Sequence, residues 1–262
     1  MKRTKNPAKE AEYRKRAADL VAQMTLHEKV SQMLSWAPAI ERLGIPAYNW
    51  WSEGIHGVGR AGTATVFPQA IGMAAAFDED MMEQVGNAVG VEARGKYNMC
   101  RAHGDRDIFK GLTVWAPNIN IFRDPRWGRG HETYGEDPFL TSRLGVRFVE
   151  GMQGDDPDYL QAAACAKHFA VHSGPESDRH HFNAIVSKQD LWETYLPAFR
   201  ALVKEAGVEA VMGAYNRTNG EPCCGSKTLL KDILRDKWHF DGHVTSCLLY
   251  TSPSPRDVEE SR

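Results

Sequence analysis

The stretch Thr113-Val-Trp-Ala-Pro-Asn-Ile-Asn-Ile-Phe122 runs straight into Arg123-Asp-Pro-Arg-Trp-Gly-Arg129-Gly-His-Glu132-Thr-Tyr-Gly-Glu136-Asp137-Pro138. Thr113 to Pro117 reads as an apolar strand, and Asp137-Pro138 opens a helix to about Gly151. Between them, residues 123–136 hold three arginines, three carboxylates, two aromatic residues and three glycines, so the connection is a polar loop that must bend tightly. Such a loop is either a surface of mutually paired charges or a pocket wall. In the second reading the arginines donate to hydroxyls or carboxylates, and Trp127 offers a flat apolar face.

Strand, loop and helix then recur along the chain. Residues 7–34 read as helix, restarted by the capping box Thr25-Leu-His-Glu28, and residues 78–100 as a second helix with Asp78 as its cap. Ala162–Phe169 reads as a strand, Lys188–Ala206 as a helix, Glu209–Tyr215 as a strand, Ser226–Trp238 as a helix, and Gly242–Ser246 as the start of a further strand. The alternation predicts an α/β chain with a parallel sheet. Polar residues at successive strand ends point to a (β/α)8, TIM-barrel-like domain with its site on the C-terminal face. A doubly wound sheet would need a glycine-rich phosphate loop after an early strand, and none is present.

Composition narrows the function. The 262 residues are 42% hydrophobic and 25% charged, with a net charge of -2 and a pI near 6.6, as expected of a globular protein without an affinity for nucleic acid or an anionic membrane. No apolar run of signal-peptide or membrane-spanning length is present, and adjacent Cys223 and Cys224 read as free thiols, so a cytoplasmic location is expected. The segment from His172 to His181 is rich in histidine and acids. Its spacing matches no HExxH or tetrahedral site, which leaves no metal or cofactor expected and a metal-assisted hydrolase as an alternative. Lys167 and His168 end an apolar strand. They are either a snorkelling lysine with a satisfied rim histidine, or two ligands brought to one side by a twist or bulge, because neighbours on a strand point to opposite faces.

Four stretches together resemble glycoside hydrolase family 3, the β-glucosidases and β-xylosidases: the arginine-rich loop, Tyr48-Asn-Trp-Trp51-Ser-Glu53-Gly-Ile-His56-Gly57, Ala164-Cys-Ala-Lys167-His168-Phe-Ala-Val-His172, and Val211-Met212-Gly-Ala-Tyr215-Asn216. The resemblance implies that Lys167, His168 and Arg129 bind hydroxyls of the sugar next to the scissile bond, and that Glu53 grips its distal hydroxyls. Met212 and Tyr215 would border the same subsite, although Met212 also reads as core filler. Glutamate at position 53, where many glucosidases carry aspartate, favours xylosides by filling the space of a hydroxymethyl group. The single-domain N-acetylglucosaminidase branch has Pro-Gly where this chain has Ala170-Val171, so that branch is not assigned.

The same resemblance places the nucleophilic aspartate where this chain has Cys247. From there the sequence to Arg262 resembles nothing in the family. The expected layout is a basic helical lead-in over 1–19, a barrel domain over 20–246 that is incomplete at its C-terminal end, and an unrelated tail over 247–262. The acid/base glutamate of the family would come from a second domain, so the chain is expected to hold sugar contacts without hydrolytic activity. A β-linked oligosaccharide or glycoside is the expected partner, with the oligomeric state open. A noncatalytic carbohydrate-binding relative is a further alternative.

Overall fold

A computed structural model describes residues 3–179 and 181–247. The N-terminal helical region is two helices, α1 (Pro7–Gln23) and α2 (Leu26–Ser31). They separate because Thr25 caps α2: its hydroxyl accepts from the Glu28 N–H at 3.2 Å, and Glu28 accepts from the Thr25 N–H at 2.8 Å. Neither helix buries a residue, and Val21, Leu26, Val30, Met33 and Leu34 all lie exposed. The apolar stripe legible in this region is therefore uncovered among the described residues.

A small antiparallel pair follows, β1 (Trp36–Ala37) with β2 (Tyr48–Asn49), and then α3 (Ala70–Ala74) and α4 (Glu79–Ala102). The Asp78 carboxylate accepts from the Met81 N–H at 2.9 Å and starts α4 where the sequence indicates. After β3 (Thr113–Val114) comes α5 (Pro138–Gln153), capped by Asp137 and ended by Gly154 at φ 71°. Helices α4 and α5 lie against each other with glycines at the contact. An added Cβ at Gly86 would overlap the Phe148 carbonyl oxygen, and one at Gly151 would overlap that of Glu83.

The remaining strands are β4 (Ala163–Phe169), β5 (Asn183–Ala184), β6 (Ala210–Gly213), β7 (Arg217–Thr218), β8 (Glu221–Pro222) and β9 (His243–Ser246). The main sheet is parallel throughout, in the order β3-β4-β6-β9, and β5-β7-β8 form a small sheet beside it. Each neighbouring pair of the main sheet is joined through a helix: α5, then a helical run over 188–206 with two π-wound stretches, then the Lys227–Lys237 helix. This is the curled parallel wall of a TIM-type barrel. Alternation along the strands sorts the side chains into two layers. Val114, Ala164, Ala166 and Val211 join the core under the helices, whereas Trp115, Cys165 and Met212 form a second cluster on the other side.

The register of β4 against β6 shifts between Lys167 and Phe169, an irregularity at the strand end of the kind required for two successive residues to serve one site. On its outer side, β9 has no strand partner among the described residues. A groove of about 330 Å³ runs there, lined in part by Met33, Leu34, Trp50, Trp115 and His243. None of the described helices is long and apolar enough to cross a membrane. Of the expected tail over 247–262, residues 248–262 lie outside the described residues.

The glycine packing gives a paired prediction within α4. Gly86→Ala should destabilise the chain by roughly 1–3 kcal/mol through overpacking against α5. Gly95→Ala, where nothing lies within 4 Å, should stabilise it by roughly 0.4–1 kcal/mol. Urea unfolding checks both; equal shifts for the two variants would refute the close approach of the helices.

Candidate active site

The site begins at the end of β4, where Lys167 is 2% exposed and His168 1%. An ammonium this deep requires an anion, because taking an unpaired charge out of water is costly. Glu53 supplies it, with Oε2 3.6 Å from Lys167 Nζ. The aromatic loop reaches this position because Ser52 bridges Val114 and accepts from the Trp115 N–H at 2.8 Å, which lays Glu53 beside the end of β3. The Trp51 indole N–H donates to Glu53 Oε1 at 2.8 Å, and its ring stacks on Trp115 with centroids 5.1 Å apart.

Arg129 enters from the polar loop. It is bidentate to Glu132, at 2.7 and 2.5 Å, and its third nitrogen donates to His168 Nε2 at 2.9 Å. Burial pushes the Glu132 carboxyl up, but the Arg129 guanidinium outweighs it and, with Lys167, holds the group below the usual carboxylate range. Arg129 and Glu132 therefore pair with each other beside His168 at the end of β4. The paired-surface reading fits Arg126 and Asp124, which bond each other at 2.9 and 3.0 Å at the exposed turn.

The His168 tautomer follows from Asn120. That amide donates to the carbonyls of His168 at 2.8 Å and Ala170 at 3.1 Å, so its oxygen is the acceptor for the His168 ring at 2.9 Å. Nδ1 thus carries the proton and Nε2 accepts from Arg129. Burial, then the charge of Arg129, keeps His168 neutral far below the ordinary histidine range. Tyr215, 2% exposed, accepts from Arg179 Nε. Arg179 also donates to Glu176 at 2.7 Å, and the Gly128 N–H donates to the same carboxylate at 3.2 Å, which ties the two loops together.

Met212 lies in the apolar cluster with Trp115 and Cys165, against which Trp51 and Cys247 pack. Burial pushes the Cys247 thiol up to about 11, against the opposing charges of Arg129 and Lys167. It is therefore a neutral thiol and a poor nucleophile at neutral pH.

Of the residues marked in the sequence, Glu53, Lys167, His168 and Arg129 form one connected cluster. Tyr215 joins it through the rings of His172 and His168, whose centroids lie 4.8 and 4.6 Å from the next in turn, and Met212 forms the apolar wall. Sequence reading missed Trp51, Asn120, Glu132 and Arg179 as partners. Asn120 left a signal, since a buried amide in an otherwise apolar run calls for an explanation. Arg179 left none, because its partner Tyr215 lies 36 residues away. Among the described residues, no group of three or more His, Cys, Asp or Glu side chains could hold a metal ion; His180 lies outside them.

The family model for the glycosyl hydrolase family 3 N terminal domain matches residues 16–250. The chain is 52% identical over 237 residues to a xylan 1,4-beta-xylosidase of Xylanibacter ruminicola, covering 89% of this chain and 28% of that protein. It is 47% identical to probable beta-D-xylosidase 7 of Arabidopsis thaliana, covering 88% of this chain and 32% of that protein. Its fold superposes on a GH3 exo-beta-xylosidase (XlnD) in complex with a xylobiose aziridine probe, with TM-score 0.85 and 35% identity, over 93% of this chain and 33% of that one. A beta-glucosidase of Streptomyces venezuelae (DesR) in complex with D-glucose gives TM-score 0.75 and 35% identity, over 94% and 30%. The chain thus spans about a third of the length of the relatives it matches.

The buried histidines set a pH dependence. Burial lowers His172 to about 3, and His168 is also lowered, whereas both take a proton near 6.5 when unfolded. Their contribution to stability is complete above pH 6.5 and is lost as pH falls from there toward 3. In imidazole ¹⁵N spectra both rings should stay neutral down to pH 5; a midpoint near 6.5 for either would contradict the buried, tautomer-locked geometry.

Proposed function

Because the chain belongs to glycosyl hydrolase family 3, we propose that the cluster at the C-terminal end of β4 is the sugar-binding part of a retaining β-glycosidase site, acting on β-xylosides or β-glucosides. One observation carries this reading: each cation has its own carboxylate. Lys167 is paired with Glu53, Arg129 with Glu132 and Arg179 with Glu176, while the two histidines are neutral. The site therefore presents many donors and acceptors with little net charge. That suits a neutral polyhydroxyl ligand better than an anion, which would have to displace the carboxylates already in place.

The chemistry needs more than these groups provide. Retention requires two carboxyl groups about 5–5.5 Å apart, one of them protonated when it meets the leaving oxygen. Glu53 and Glu132 are both engaged in ion pairs, and Cys247 is a neutral thiol. In this reading the described residues would bind and orient the sugar, and hydrolysis would call for an aspartate at position 247 and an acid/base carboxyl from elsewhere. Preference for xylosides over glucosides rests on Glu53, whose length leaves less room than aspartate for a hydroxymethyl group; the xylosidase names of the relatives support it. The neutral thiol at position 247 also favours a second reading, in which the chain binds glycosides without cleaving them.

Calorimetric or NMR titration of the chain with methyl β-xyloside should show binding that Lys167→Ala weakens at least about tenfold, the loss of a charged hydrogen bond. Nitrophenyl β-xyloside should be left intact. Glu53→Asp should raise affinity for methyl β-glucoside relative to the xyloside. Binding unaffected by Lys167→Ala would remove the site assignment, and an unchanged ratio would remove Glu53 as the determinant of specificity.

A further inference from the structure

His172 is 3% exposed and has been given no role of its own beyond linking Tyr215 to His168 through its ring. Its surroundings repeat those of His168. Asn216 donates through its amide to the carbonyls of Val171 at 2.7 Å and Arg217 at 2.8 Å, so its oxygen must be the acceptor for His172 Nδ1 at 3.1 Å. Two asparagines on different segments thus fix two neighbouring imidazoles in the same tautomer. The difference lies at the other nitrogen. Nε2 of His168 accepts from Arg129, whereas Nε2 of His172 is buried and has no hydrogen-bond partner among the described residues.

A buried acceptor left without a partner is unfavourable, so the ring needs another reason to be there. Its contacts provide one. The ring centroid lies 4.6 Å from His168, 4.8 Å from Tyr215 and 5.6 Å from Trp127, the last two edge-on at 84° and 85°. Those three rings come from three separate places: the end of β4, the segment after β6, and the arginine-rich loop.

We propose that His172 is a positioning residue: its imidazole, oriented by Asn216, is the common wall that sets the planes of His168, Tyr215 and Trp127 where they meet the sugar. Its effect on ligand rests on the glycoside-site reading; its effect on His168 does not. A phenylalanine would fill the volume without the N–H that fixes the ring's rotation. An asparagine would keep a donor for Asn216 and remove the wall.

The test uses the full chain, with methyl β-xyloside as probe. His172→Asn should shift both ¹⁵N resonances of the His168 ring and weaken xyloside binding by about tenfold, the worth of about one well-made hydrogen bond. Unchanged His168 resonances together with unchanged affinity would overturn the proposal. So would a lower melting temperature with unchanged His168 resonances, the signature of mere core filling. Should His172→Asn fail to fold, Asn216→Ala frees the ring without removing it, and an unmoved His168 spectrum in that variant would overturn the proposal equally. If the wild-type chain binds no xyloside, the glycoside reading falls, and the His168 resonances still decide the positioning role.

Discussion

The constraint on which this architecture turns is a lysine ammonium placed inside a parallel barrel wall. Lys167 stands at the end of a strand whose other residues are mostly small and apolar, and its inward neighbours are Cys165 and Met212. A charge there is tolerated only with an anion brought to it, and the groups that do so explain much of the loop structure. The aromatic loop pairs with β3 in order to deliver Glu53, and Trp51 holds that carboxylate from the other side. The arginine-rich loop folds back so that Arg129 reaches His168 while carrying Glu132 with it. Breaking a buried pair leaves an uncompensated charge, so each loop is tied to the strand ends by the pair it carries.

The same logic separates the site from the scaffold around it. Helices α4 and α5 are joined by glycine contacts and by exposed ion pairs such as Arg143–Glu79, which contribute little each. They hold the outer layer and leave the strand ends free to carry polar groups. On the far side, among the described residues, β9 has no strand partner on its outer edge and nothing covers the apolar stripe of the N-terminal helices. Exposed edges and apolar patches are where chains associate or pair with further strands.

Much of this was legible in the sequence because local chemistry dictates it. Asp78 and the Thr25/Glu28 box mark helix starts through a bond to the backbone a few residues on, whereas the end of α5 was less legible: the reading stops at about Gly151, and the helix runs on to Gln153 before Gly154 turns to positive φ. The alternation of strands and helices gave the parallel wall. What lay beyond local pattern was less accessible. The stripe over 7–34 has helical spacing, but spacing does not say whether anything covers it. Strand periodicity put Lys167 and His168 on opposite faces, and only the register shift at the end of β4 brings both to the site. The Asn120–His168 and Asn216–His172 pairs span 48 and 44 residues, so no motif of adjacent residues could reveal them.

The most direct test of the account is a crystal structure of the chain soaked with methyl β-xyloside. The expected result is one sugar at the end of β4, with its hydroxyls within about 3.2 Å of Lys167 Nζ, Glu53 and the Arg129–His168 pair. Density for the sugar only in the groove lined by Trp50, Trp115 and His243, or none at a saturating concentration, would contradict it.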